Sequence, residues 1–425
     1  MPEPDAFFRH VTPLGTEILV EPIPHVRSCA VGFWVRRGSC HEAVQEEGLA
    51  HFIEHTVFKG TERFPDPEAM AAATDHLGGS VDAFTGKEVA CFYGKVLADQ
   101  LPDLVTLLGE LVTTPIFNGE ELARERDVIL EEIAQSEDQP DDWVTELFYG
   151  KFWEGGPLAH PILGMREQVA SYGVRESQTF FSNTYTAPNL LITAAGAINP
   201  DHFMDLLRPI LDKLPKGRPA IKPAVHQISP FLLNENRKAL QQTSLVMGFP
   251  APAHRHPDRV AAGLLGHVLG GGMSSRLFME LRERHGLCYS VGSYLTHYAD
   301  TGALQISVGC APKQAREVVR RAMAECARIF DLGVSEDELE RAKLQSRTSL
   351  VFSLESSNSR MFSLANQSLQ QGEIRSIDQQ LAEINQVTCE QVQRVAKEWL
   401  NPATLGLAAL GTKRGCEIRA KDLVA

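Results

Sequence analysis

No stretch of this chain approaches the roughly 18 uninterrupted apolar residues of a membrane-spanning helix, so no transmembrane segment and no membrane partner are expected. Nor is there a surplus of basic charge. The 41 Lys and Arg residues stand against 54 Asp and Glu, a formal charge of -13, which is the wrong sign for a partner made of phosphates and argues against nucleic acid. The eight cysteines show no Cys-x-x-Cys or other metal-like spacing. They read as reduced, mostly buried small hydrophobes in a chain too long to depend on disulfides. The opening Met1 to Asp5 lacks the basic and apolar regions of a secretory signal, so the cytoplasm is the expected location. Gly270-Gly271-Gly272 lacks the Lys-Ser/Thr and the preceding strand of a phosphate loop. What is present is a folded composition: 425 residues, 43 % apolar and 22 % charged, enough for a sizeable core and unlike a disordered chain.

Dense β-branched and apolar residues predict strands over 16–22 and 28–35. Leu49, Phe52, Ile53 and Val57 recur at helical spacing, which predicts a helix over 48–58. A second helix is expected over 66–77, a turn at Gly78-Gly79, strand material over 80–95, and helices over 98–113 and 118–136. Pro215, Pro219 and Pro223 among Lys, Gly and Arg suggest a linker. Beyond it the order of elements repeats: Gly48-Leu49 returns as Gly263-Leu264, and Glu121-Leu122-x-Arg124 as Glu338-Leu339-x-Arg341, at separations of 215 and 217 residues. This divides the chain into a first domain over 1–215, a linker over 216–230 and a homologous second domain over 231–425.

The informative segment is His51-Phe52-Ile53-Glu54-His55. At about 100° per residue both histidines and Glu54 crowd one face of the helix. Two imidazoles one turn apart can bind a single Zn²⁺, with the carboxylate beside them to hold a water. This is the inverted form of His-Glu-x-x-His. A catalytic zinc takes a third protein ligand, and the segment Glu125 to Glu132 offers candidates. Glu125 and Glu132, nearly two turns apart, share a face from which Glu131 points about 100° away. That geometry favours Glu132 as ligand and Glu125 as the group that orients a ligand, although solvated charges on an amphipathic helix would look the same.

These motifs resemble the inverzincin metallopeptidases of the pitrilysin/insulinase family, and within it the shorter bacterial branch related to mitochondrial processing peptidase. The resemblance runs on through Phe58-Lys59-Gly60-Thr61, Gly78-Gly79-Ser80-Val81-Asp82-Ala83-Phe84-Thr85 and His160-Pro161-Ile162-Leu163-Gly164. In the second half it includes Ser274 to Phe278 and Gly286 to Val291. It implies an α+β fold of two homologous domains, each a mixed, largely antiparallel sheet with helices packed on one face. It implies His51, His55 and Glu132 as ligands of one Zn²⁺ per chain, Glu54 as general base and Glu125 as its assistant. The reaction implied is peptide hydrolysis, in which zinc acidifies a water and polarises the scissile carbonyl while Glu54 moves the proton.

By the same resemblance Asp82, Ala83 and Phe84 lie on an edge strand that pairs with the substrate main chain. The family usually has Asn where this chain has Asp82, so an amide donor becomes an acceptor-only carboxylate. Arg282 and Tyr289 match the family's substrate-contacting pair, suited to a developing oxyanion. The second half has Gly263-Leu264-Leu265-Gly266-His267 without the metal motif, so it is expected to carry no metal, with His267 structural. Two-domain relatives close in pairs around a chamber, so the resemblance implies a homodimer in which the Arg/Tyr pair serves the opposite chain, acting on short or unfolded peptides. A non-catalytic assembly subunit would have degenerate ligands, and a heterodimeric half would lack Arg282 and Tyr289; this chain has both sets. The acids of Glu137 to Asp142, read as a loop after the Glu132 helix, suggest a preference for basic peptides.

Overall fold

Cys29 to Val35 follow one another without polar interruption, so both faces of their sheet must be covered. The computed structural model describes residues 7–221 and 228–423. Its first sheet holds β1 (Phe8–Val11), β2 (Glu17–Pro22), β3 (Ser28–Val35), β4 (Ser80–Thr85), β5 (Ala90–Leu97) and β6 (Leu190–Gly196), in the order β1-β2-β6-β3-β5-β4. β2 and β6 run parallel and every other pair antiparallel. The strand material expected over 80–95 is two strands of a hairpin, turned at Gly86, whose N–H bonds Val89 O at 2.7 Å.

On one face Val31, Phe33 and Phe92 pack with Leu49, Phe52 and Ile53 of the helix Leu49–Val57, here the histidine helix, and with the helix Leu101–Thr113. On the other face the alternate residues Leu19, Trp34, Cys91 and Leu191 pack with Met361, Leu364 and Ala365 of the helix Ser357–Asn366. The expected layer of helices is there, and a helix from late in the chain covers the second face as well. Trp34 buries its indole in this layer and donates from Nε1 to Thr193 Oγ1 at 2.8 Å.

A second sheet repeats this plan. β7 (Phe231–Asn236), β8 (Thr243–Pro250), β9 (Cys288–His297), β10 (Gly302–Cys310) and β11 (Gly406–Gly411) stand in the order β7-β11-β8-β10-β9. β7 and β11 are parallel and the remaining pairs antiparallel, as for β2 and β6. β8 begins and ends 215 residues after β3. One face of this sheet meets the helices Arg259–Gly270 and Ala315–Leu332. The other meets Val144, Phe148 and Phe152 of the helix Pro140–Phe152.

The two covering helices are themselves equivalent, beginning 217 residues apart, and each covers the sheet of the other half of the sequence. Compact units are accordingly discontinuous. One comprises the described residues of Met1–Ala134, His160–Pro223 and Val351–Arg375, the other those of Gln135–Ala159, Ala224–Leu350 and Ser376–Ala425. Of the expected linker, residues 222–227 lie outside the described part. Among the described residues no helix is long and apolar enough to cross a membrane.

Candidate metal centre

The histidine helix starts under tight constraint. Gly48 precedes it with φ +87°, and a Cβ there would come within 2.6 Å of Gly164 Cα. Gly164 has φ +78° and would meet Gly48 in the same way, so two glycines in contact fix where the helix begins. Buried Glu42 accepts from Gly48 N at 2.8 Å and Ala50 N at 2.7 Å, taking up two donors at the helix start. Burial pushes the Glu42 carboxyl up to about 8, against the pull of those two N–H groups.

One turn apart on this helix, His51 Nε2 and His55 Nε2 face each other at 3.2 Å. Glu132, on the helix Gly119–Asp138, brings Oε2 to 3.8 Å from the first and 3.6 Å from the second. Four ligands at zinc bond lengths stand about 3.3–3.5 Å from one another, so the triangle has the dimensions of one face of such a tetrahedron. His55 Nδ1 lies 2.8 Å from Glu125 Oε1. A proton on that nitrogen leaves Nε2 with its lone pair toward His51 and Glu132, so acceptors converge on a point that a cation fits. The residues present therefore suit a zinc ion. Burial, followed by the neighbouring His55, holds the His51 imidazole down at about 3.

Glu125 is itself buried. Burial works against its charge, yet the hydrogen bonds from His55 and Lys59 outweigh it and lower its pKa. Lys59 Nζ lies 2.7 Å from Glu125 Oε2, so Glu125 bridges a ligand and a fixed ammonium. For His55, burial opposes protonation, but Glu125, Glu132 and Glu54 together raise its pKa.

Glu54 does not belong to the triangle. Its Oε2 accepts from Thr85 Oγ1 at 2.5 Å, which ties it to the end of β4. Burial raises the Glu54 pKa, and the Thr85 bond and His55 offset part of the rise. β4 is an edge strand, paired with β5 alone. Ala83 and Thr85 lie on the face toward the histidine helix. Phe84 turns the other way into an aromatic cluster with Trp34, Tyr93 and Phe362, so its side chain serves packing.

Arg282 and Tyr289 lie together in the other unit. Opposite β10, Gly309 pairs with Ser290 and Cys310 with Cys288, which leaves Tyr289 as the extra residue of a β-bulge and aims its ring outward, 80 % exposed. Arg282, on a π-helical turn over Phe278–Arg284, donates from Nη1 to Tyr289 O at 2.9 Å. Its guanidinium lies 4.8 Å from the Phe278 ring centre and 4.9 Å from that of Tyr289.

Reading the residues one by one passes over Glu42, Lys59 and Thr85 as site residues. Lys59 lies one helical turn beyond His55, and that spacing was the available signal. The segment Glu137 to Asp142 is not a loop. One helix runs to Asp138 and the next begins at Pro140, with only Gln139 between them. Proline in the first turn followed by Asp141 and Asp142 is itself a helix-starting pattern, and Asp141 is engaged by Ser244 Oγ at 2.7 Å.

The sequence profile described as Insulinase (Peptidase family M16) matches residues 17–166, and that described as Peptidase M16 inactive domain matches 174–346. An uncharacterized zinc protease of Mycobacterium tuberculosis is 36 % identical over 410 residues, covering 95 % of this chain and 92 % of the relative. The chain belongs to the insulinase (M16) peptidase family. Another M16 relative, an uncharacterized zinc protease of Bacillus subtilis, is 34 % identical over 92 % of this chain and 95 % of its own. The M16 fold is seen in a Helicobacter pylori protease, with a TM-score of 0.90 at 19 % identity, covering 95 % of this chain and 99 % of that one. A Pseudomonas fluorescens structure described as a peptidase M16 inactive domain superposes with a TM-score of 0.89 at 20 % identity, over 96 % and 98 % of the two chains. In this M16 chain the positions 215 residues after His51 and His55 are Gly266 and Gly270, and those 217 after Glu125 and Glu132 are Ala342 and Ser349. The second half keeps the strand order without the metal donors.

Proposed function

We propose that this chain is a zinc-dependent endopeptidase that hydrolyses short or unfolded peptides as a homodimer, each chain holding one zinc and lending Arg282 and Tyr289 to the site of the opposite chain. The observation that carries the reading is the convergence of His51, His55 and Glu132 beside a separately held Glu54. The names of the curated relatives support it.

When bound, zinc supplies Lewis acidity, acidifying water and polarising a peptide carbonyl. His51, His55 and Glu132 would hold it, and Glu125, braced by Lys59, keeps the proton of His55 on Nδ1. An extended peptide adds to the free edge of β4, main chain to main chain, which tolerates many sequences. Glu54, its Oε2 occupied by Thr85, has Oε1 to take a proton from water and return it to the leaving amine nitrogen. Arg282 and Tyr289 carry the N–H and O–H donors that a tetrahedral oxygen requires.

The test is metal analysis of the purified chain beside cleavage of a mixed peptide pool before and after chelation. About one zinc per chain, with cleavage lost to chelator and restored by zinc, is expected. Less than about half a zinc per chain after reconstitution, without chelator-sensitive cleavage, removes the reading.

A further inference from the structure

Asp82 stands in the middle of the free edge strand, and its carboxylate is already committed. Oδ1 accepts from the main-chain N–H of Ala83 at 2.8 Å, and Oδ2 accepts from Tyr93 Oη at 3.1 Å. Tyr93 faces Asp82 directly across the β4–β5 ladder, so the carboxylate is pinned from the paired side while remaining exposed. An added strand therefore meets a negative charge held by Tyr93, and as it pairs its carbonyl replaces Asp82 Oδ1 on the Ala83 N–H. Directly opposed side chains on neighbouring strands share a face, and opposite charges there attract while like charges repel. An asparagine would keep the acceptor and lose the charge.

We propose that Asp82 is a specificity-determining residue that selects peptides carrying lysine or arginine opposite it on the added strand. The inference rests on the reading of β4 as the peptide-binding edge. Asp82 lies three residues from Thr85, which holds Glu54, so the selected cation falls about 10 Å along the strand from the position opposite Thr85. The selection acts on the face of β4 away from the histidine helix, where Phe84 also lies, so it is separate from the metal donors.

The test measures peptide binding by the full-length chain carrying Glu54→Gln, which retains bound peptide, using fluorescent ten-residue peptides in which one lysine is moved through the sequence against matched norleucine controls. The expected result is a preference for lysine of about two- to five-fold in one register, reduced at high salt and absent when Asp82→Asn is added. A preference that survives Asp82→Asn overturns the proposal, as does equal binding of lysine and norleucine peptides in every register, or no binding by either protein. Chelator-sensitive cleavage by the chain with Glu54 intact is scored separately. Cleavage without a lysine preference removes Asp82 selection alone, whereas Asp82-dependent binding without cleavage removes the peptidase reading alone.

Discussion

Glu54 and Glu125 both have a hydrogen bond that lowers the pKa, yet the balance against burial tips them in opposite directions. Burial leaves Glu54 with a raised pKa, tempered by Thr85, whereas His55 and Lys59 lower that of Glu125. A base works when ionised, so hydrolysis should fail as pH drops through the raised pKa of Glu54. Thr85→Val removes a bond that lowers this pKa, so the acid limb of the kcat/KM profile should move to higher pH, with the loss smallest in alkaline buffer. Glu54→Gln should reduce hydrolysis at least about 10²–10⁴-fold with zinc content unchanged, as turnover and metal analysis on the same preparation would show. Lys59→Met should weaken zinc binding about ten-fold or more in chelator competition, and Lys59→Arg should restore much of it. His51, Glu54 and His55 were legible in the sequence because one helical turn fixes their relations. Glu125 and Glu132 could be put on one face of a helix, but only the fold brings that face to 3.6–3.8 Å from the imidazoles. Thr85 and Lys59 act on partners 31 and 66 residues away; the spacing of Lys59 from His55 put it on the right face, but only the fold brings Glu125 and Glu54 to these two residues.

At the scale of elements, the start of the histidine helix rests on Glu42, Gly48 and Gly164. Glu42→Ala leaves two helix-start donors without their acceptor and should cost about 1–3 kcal/mol in denaturant unfolding of the metal-free chain. The pH dependence has a definite sign. A carboxyl raised from its ordinary 4.5 to about 8 stabilises the fold fully below pH 4.5, and that contribution is lost as pH climbs through 8. The metal-free protein should therefore melt at progressively lower temperature from pH 5 to 8, and Glu42→Gln should flatten that slope. Strands β2 and β3 and the histidine helix could be read locally because alternation and helical spacing suffice. The hairpin at Gly86 had a local signal too, since Thr85-Gly86-Lys87-Glu88 interrupts the apolar residues of its two arms with a polar, glycine-containing turn. The helices Pro140–Phe152 and Ser357–Asn366 gave no sign of which sheet they cover, because an apolar face fits either.

For the whole molecule, the matching strand orders make the weak sequence repeat a structural one: each sheet has the same parallel pair and the same edge strand, and among the described residues a cluster of metal donors stands beside the first sheet only. If sites are shared between chains, mixing a Glu54→Gln chain with an Arg282→Ala chain should restore cleavage that neither has alone. No restoration on mixing would place both sets of duties within one chain. The crossed helices also bear on how the protein is made. Strand β6 ends at Gly196, but the helix that covers the Trp34 face of its sheet ends at Asn366. At ordinary rates of synthesis those intervening residues take roughly 10–30 s to emerge. Throughout that interval the helix that covers Trp34, Leu191 and their neighbours in the finished fold has not been made, so a nascent first half would expose that apolar face.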